Sequence, residues 1–507
     1  MASGSLHVSE IGRQSAPVPG PPINRPWWKL PAGVLRQFLR WAALLALLVL
    51  GQFSLALALG LLPVGLLAFL FARRIGYQAW VGWPLALAGL LGLQCIVETP
   101  PSVRQHDVEG HREYVDFVSE QGGLPPVTEG WETWQPPLYY LLAAVWRWLF
   151  SVIPQEDSFR STQFLAAALY ISTVAWALTI FRRLHLDDVE AVAGVGFLAL
   201  LPGHLFFAAR INNDVLLPFL GAGVLLLTAR LVENGRAAWT TKQSWGFGWM
   251  GSGDSRLWIG LGLLLGASLA TKGSSLAVVS GVLGLVFGSE FRHSGRESAI
   301  RRTYLTGLPA GLWLLFWCVR NAAQTGDPFY VNANLPDELR VLTPPAARLL
   351  SFKIDAFLAG NFYYDEPIRG SYFTALLTSA LYGEYNMGGY GFRCPELLRW
   401  GSLGLIAILL AGAVIPPRRE RRAAWVTCLC LAACQFAITL AYALKFPYAC
   451  NQNVRFFAQA YVPFAGLFGL GAGHLWRQWG CYGRSALIII VTVFVVGLVD
   501  FYARLLL

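Results

Sequence analysis

Residues 104–140 read RQHDVEGHREYVDFVSEQGGLPPVTEGWETWQPPLYY. Asp107, Glu109 and His111 follow one another closely where an apolar segment ends. A carboxylate held at a membrane–water boundary can take a proton from an attacking hydroxyl or amine. A second carboxylate can orient substrate or a metal. The same residues also fit a solvated acidic loop or a helix start, where Asp is a favoured cap. Other polar groups stand at the ends of other apolar segments. ARINND holds Asn212, Asn213 and Asp214; LATKGSSL holds Lys272; CVRNAAQTGDPF holds Arg320, Asn321 and Asp327; NQNVRFF holds Arg455. Polar groups at membrane depth are costly, so they tend to be partnered or functional. Taken singly, Lys272 or Arg455 reads equally well as a snorkelling end residue. Acids in a loop, with bases at neighbouring helix ends, suit a site that binds a phosphate and activates a nucleophile.

The elements that must position these residues are set by composition. Apolar residues make up 55% of the 507 and charged residues 13%, about half the usual globular share. The 31 Phe, 20 Trp and 18 Tyr bring aromatics to 14%. This excludes a disordered chain, a coiled coil, a collagen-like chain and an ordinary cytosolic enzyme, and describes a chain whose main solvent is lipid. The net charge of +10 then reflects Lys and Arg gathered in cytoplasmic loops, and no nucleic-acid partner is expected. The eight Cys form no paired CxxC motif, so no zinc or iron–sulfur site is expected.

Apolar stretches long enough to span fall at 38–55, 57–72, 78–97, 162–181, 189–208, 213–232, 256–272, 274–289, 303–320, 399–415, 423–444, 455–476 and 485–503, by the rule of about 20 residues per span. The fold class expected is an all-α polytopic membrane protein of about 13 transmembrane helices. Segment 137–152, with Trp146, Arg147 and Trp148, reads instead as a helix lying on the outer surface. A cytoplasmic N-terminus leaves about 23 basic residues inside and about 16 outside, as the positive-inside rule asks. Arg182, Arg183, Arg418, Arg419, Arg421 and Arg422 then lie inside. The expected organisation is a basic, Pro-rich cytoplasmic tail (1–37), N-terminal spans (38–97), a first extracytoplasmic loop (98–161), a transmembrane core (162–320), a second large extracytoplasmic loop (321–398) and C-terminal spans (399–507). The first 40 residues show no short apolar core with a small-residue cleavage site, so no signal peptide is expected. Cys394 and Cys450 both fall outside, where a disulfide persists if formed; two unpaired thiols fit as well. Cys428, Cys430 and Cys434 read as small apolar residues of one span.

The chain resembles the GT-C superfamily of membrane glycosyltransferases, the broad group that holds aminoarabinose transferases, protein O-mannosyltransferases and family-39-like bacterial enzymes. DVEGHREYV, LPP followed by QPPLYY, INND, TKGSSL, VRNAAQTGDPF and VRFF, in this order, carry the resemblance across about residues 100–475. It implies a GT-C-like bundle with short helices in its two extracytoplasmic loops. It also implies an enzyme that moves a hexose or pentose from a polyprenyl-phosphate carrier to an extracytoplasmic acceptor: lipid, glycan or protein. A bacterial inner membrane is the implied location. Relatives show adjacent Asp-Glu in the first loop, whereas here Val108 intervenes. Asp107 matches the family's catalytic Asp, Glu109 stands as the displaced second acid, and His111 matches a His of one branch.

Transfer from a sugar phosphate builds negative charge on the departing phosphate, which positive groups stabilise. Lys272, Arg320 and Arg455 are the candidates, with Asn213, Asp214, Asn321 and His111 as further substrate contacts. Asp107 is the candidate base, and direct displacement would invert the anomeric centre. A divalent metal held by Asp107 and Glu109 is conceivable, but two oxygens do not make a site. No soluble α/β domain is present to hold a nucleotide sugar. The rival readings are a transporter or flippase of lipid-linked glycans, a glycan polymerase or ligase, and a non-catalytic scaffold. A transporter would show two similar halves, and no such repeat is seen.

Overall fold

The computed structural model describes residues 55–99, 107–151, 159–237, 253–331, 336–383 and 395–505. Helices dominate, and no strand occurs among the described residues. In lipid every backbone polar group must be satisfied within the segment, which a helix does. Each expected span from 57–72 onward coincides with a helix. The one at 38–55 lies outside the described residues except for its last position, so thirteen is not a count the structure supplies. Among the described residues eight helical stretches are long and apolar enough to cross a membrane, or nine with one bent pair.

The helices that build the bundle are α1 (Leu55–Arg74), α2 (Trp83–Glu98), α5 (Arg160–Arg183), α6 (Asp188–Leu200), α7 (Leu217–Ala237), α8 (Gly253–Thr271), α9 (Leu276–Thr325), α11 (Pro395–Val414), α12 (Arg422–Lys445), α13 (Tyr461–Gln478) and α14 (Gly480–Leu505). The first loop adds α3 (Val108–Gln121) and α4 (Leu138–Leu149). The second adds α10 (Tyr372–Tyr382) after several single-turn helices. Helix α13 packs on α6 and α11. Gly412 and Gly471 permit that approach, because a Cβ on either would meet the facing backbone.

The bent pair is α6 with Pro202–Ala209, turned by 61°. Pro202 supplies the cause, since it cannot donate to the preceding turn. The bend brings Arg210–Asp214 to the bundle end where α3 begins.

Helix α9 is two antiparallel arms, not one rod. Twelve residues of straight helix span about 18 Å, yet Arg302 Nη1 sits 2.5 Å from Glu290 Oε2. Gly295 makes the reversal with φ 82° and ψ 176°, a backbone region essentially reserved for glycine. The arms match the spans expected at 274–289 and 303–320. Gly295→Val should therefore cost about 1–3 kcal/mol of stability through backbone strain alone, because an added Cβ meets nothing within 4 Å. Thermal unfolding in detergent checks this, with Gly284→Ala as control, since Gly284 also faces open space but carries no positive φ.

Helix α4 has 12 residues, about 18 Å of rise, too short for a bilayer core of about 30 Å. Tyr139, Tyr140, Ala143 and Ala144 face the bundle, while Leu141, Leu142, Val145, Trp148 and Leu149 are exposed. Arg147 reaches Asp116 at 2.6 Å and lies over the Phe159 ring. An outward apolar face edged by Arg and Trp suits a helix in the membrane–water boundary.

The two bundle ends differ. Helix α5 starts where Gln163 donates to Thr99 O and Ala209 O, and finishes at Arg182 and Arg183. Near that finish, buried Glu190 pairs with Arg421 and Arg477, and Asp187 caps α6. The acidic loop lies at the other end.

Candidate active site

Asp107 stands immediately before α3 with φ 56° and ψ 18°. It and His185 are the non-glycine residues of positive φ among those described. Asp tolerates this region better than most residues, at a cost of order 1 kcal/mol or more. In the N-cap position its side chain makes no capping bond. Instead Oδ1 accepts from Trp131 Nε1 at 3.2 Å, and Oδ2 lies 3.8 Å from Arg455 Nη1. The carboxylate is thus held from two directions while its side chain stays 33% exposed. A base at an active site needs that combination of fixed aim and access.

The rest of the loop is keyed beneath it. His111 is buried and its Nδ1 lies 2.9 Å from Tyr140 Oη, with the rings stacked. Burial first, then the Lys272 charge, pushes its pKa down to about 3, so the imidazole is neutral at physiological pH. Tyr114 stacks on Tyr140 and donates to Gln135 O. Val127 N donates to Gln324 Oε1 at 2.7 Å, and the Arg320 guanidinium donates to Pro125 O. The C-terminal end of α9 thereby ties down the loop between α3 and α4.

Three other elements supply polar groups to the same place. Asn213 Nδ2 donates to Gln135 Oε1 at 3.2 Å and to Thr271 O at 3.1 Å. Lys272 Nζ lies 2.5 Å from Asp214 Oδ1, both side chains being largely buried, and 5.1 Å from the Phe456 ring centre. Asn212 Oδ1 accepts from Asp214 N and fixes the start of that turn. Arg455, from the turn before α13, has its guanidinium 5.5 Å from the centre of the same Phe456 ring.

The structure thus brings Asp107, His111, Asn213, Asp214, Lys272 and Arg455 to one bundle end, and places others differently. Glu109 is 72% exposed and lies 3.9 Å from Arg112. Arg320 is committed to Pro125 O and the Trp317 face. Asn321 is buried on the same helix, its Oδ1 without a partner. Among the described residues no three His, Cys, Asp or Glu side chains group as they would around a metal ion. Cys394 lies outside the described residues, and so does its pairing with Cys450.

Sequence reasoning missed Glu132. Its side chain is buried at 5% exposure, its Oε2 has no partner, and its pKa is pushed up to about 8. Burial is the main cause and the Asp107 charge the second; Lys272, a hydrogen bond from Gln135 and Arg455 pull the other way. The signal was slight: one acid between aromatics in GWETW, beside the QPPLYY string.

These features define a multi-pass helical membrane protein with a cluster of acidic and basic side chains at one bundle end. No protein-family model matches the sequence, and no curated protein does. Among solved structures it is similar to the oligosaccharyltransferase AglB of Archaeoglobus fulgidus, captured with an inhibitory peptide and a dolichol-phosphate. Identity is 12%, coverage 84% of this chain and 56% of that one, and the TM-score 0.47. It is also similar to ArnT of Cupriavidus metallidurans bound to undecaprenyl phosphate, at 13% identity, covering 78% of this chain and 79% of that one, with a TM-score of 0.35. The chain spans about half the length of the oligosaccharyltransferases it matches. Likeness at this level transfers no residue roles.

Proposed function

We propose that this chain is a GT-C-type membrane glycosyltransferase. It moves a sugar from a polyprenyl-phosphate carrier to an acceptor at the bundle end bearing Asp107, on the extracytoplasmic side. The observation that carries the reading is the aimed, accessible Asp107 carboxylate beside the Arg455 guanidinium, with buried Lys272 behind them. Acid and base side by side at the helix ends match the two charges that glycosyl transfer from a phosphate develops.

In this mechanism the acceptor hydroxyl or amine attacks the anomeric carbon as the bond from that carbon to the phosphate oxygen breaks. The acceptor's proton passes to Asp107. The electron pair of the broken bond leaves on the carrier phosphate, facing Arg455. One displacement inverts the anomeric centre. Lys272 adds positive potential although it is paired with Asp214. His111, neutral and bonded to Tyr140, shapes the wall beneath Asp107. The clustering of basic residues at the opposite end of the chain's helices supports the orientation.

Mass spectrometry of lipid-linked sugars that accumulate in a strain lacking the protein identifies the donor. Purified protein in nanodiscs, given that donor and an envelope extract, is expected to release the polyprenyl phosphate and label an acceptor. Movement of the intact lipid-linked sugar across the bilayer, with no release of carrier phosphate, would replace this reading with the transporter.

A further inference from the structure

Asp107 needs support that its own helix does not give. Its backbone is left-handed and its side chain leaves the α3 cap unmade. The support comes from Trp131 and Glu132, which enter the first turn of α3 together. The Trp131 indole donates to Asp107 Oδ1. Glu132 lies against the bare Cα of Gly110, where an added Cβ would meet Glu132 Cγ at 3.0 Å and Trp131 Cβ at 3.1 Å. The pair is therefore seated closely against Gly110, where any larger residue would have to push it back by a few tenths of an ångström.

The charge state of Glu132 decides how well this seat holds. The groups facing it are Asp107 before α3, Tyr140 of α4, Lys272 between α8 and α9, Arg455 before α13, and Gln135 of its own loop. Both cations already face other acids, Lys272 at Asp214 and Arg455 at Asp107. Oε2 is buried with no hydrogen-bond partner from the protein. An ionised carboxylate there would be a second negative charge beside Asp107, desolvated and half unpaired, which is strongly unfavourable.

We propose that Glu132 is a positioning residue for Asp107 and that it works as the neutral acid: ionising it unseats the Trp131–Glu132 pair and misaims the Asp107 carboxylate. The inference rests on the transferase reading for its activity readout. It gives the enzyme an alkaline limit set by a group that does not touch substrate. The pKa near 8 places that limit just above neutrality. The sign for stability follows. A carboxyl whose folded pKa is raised contributes stability that is fully present below its unfolded value, and this is lost as pH rises through the folded one.

The test compares the full-length protein with Glu132→Ala and Glu132→Gln, following transfer and thermal unfolding from pH 6 to pH 10. Glu132→Ala empties the seat and is expected to lower kcat by about 10²-fold, the scale of a small misplacement. Glu132→Gln keeps the shape of the neutral acid. It is expected to recover most of that loss and to erase the fall in kcat that the unmodified protein shows above about pH 8. The unmodified protein should also lose thermal stability from pH 6 up to about pH 8 and little more above it, and Glu132→Gln should lose less over that interval. A Glu132→Gln variant that keeps both the fall in kcat above about pH 8 and the loss of unfolding temperature between pH 6 and pH 8 would overturn the inference. So would one as inactive as Glu132→Ala with normal unfolding. If no variant transfers sugar but the unfolding difference appears, the transferase reading fails while the ionisation of Glu132 stands.

Discussion

Asp107→Asn is expected to reduce sugar transfer by about 10²–10⁴-fold, with the chain still folded and inserted. An amide accepts no proton at any working pH, so a base at this position is lost outright. The substitution is otherwise mild. Asn is as tolerant as Asp of the left-handed backbone at φ 56°, whereas Ala would add strain and confuse the result. An amide oxygen can still accept from the Trp131 indole. The contact with Arg455 is 3.8 Å long and a third exposed on the Asp107 side, so its loss should cost no more than about 1 kcal/mol. Single-turnover transfer at matched protein level, beside an unfolding curve, measures both halves. Near-normal turnover would remove Asp107 as the base. Loss of transfer with loss of folding would leave the assignment to a milder Asp107→Glu comparison.

What was legible in the sequence was what lipid enforces. Long apolar runs had to be helices, and their ends carried the polar residues that now meet. Segment 137–152 was readable as something other than a span because Trp146, Arg147 and Trp148 interrupt its apolar run, and the helix formed there, Leu138–Leu149, is 12 residues long. The relation of Asp107 to Glu109 could not be read from their spacing. Asp107 precedes α3 with a left-handed backbone, whereas Glu109 lies in its first turn, 72% exposed and 3.9 Å from Arg112. The acid that does sit near Asp107 is Glu132, far along the chain, seated against Gly110. No local pattern encodes that approach. The partner of Lys272 was equally hidden, since Asp214 lies 58 residues away and their meeting depends on how α7 packs on α8. Arg320 shows the reverse case. Its place at a helix end was legible, but whether its guanidinium faced the cluster or the Pro125 carbonyl depended on where the 122–130 loop came to rest.

Lys272→Met is expected to destabilise the protein by about 3–5 kcal/mol, the cost of leaving one member of a buried ion pair alone. Asp214 has a side-chain exposure of 1%, and Lys272 of 10%. The Asp214 Oδ2 atom already lacks a partner; without Lys272 neither oxygen would have a cation. Met keeps the unbranched stem beside Phe456, so lost packing contributes little. Pairing the change with Asp214→Asn removes the stranded charge and should recover most of the stability, because a buried pair is often worth little against neutral replacements. The double variant is then the instrument for function. It is folded, and it lacks the Lys272 charge that the donor phosphate would feel. If transfer in it falls with a raised KM for the donor, Lys272 acts on the phosphate as well as on Asp214. If transfer is normal, Lys272 serves only to hold the 212–216 turn against α8, and Arg455 alone carries the positive charge of the site. A single Lys272→Met variant as stable as the unmodified protein would contradict the buried pair itself, and with it the placement of Asp214 in the cluster.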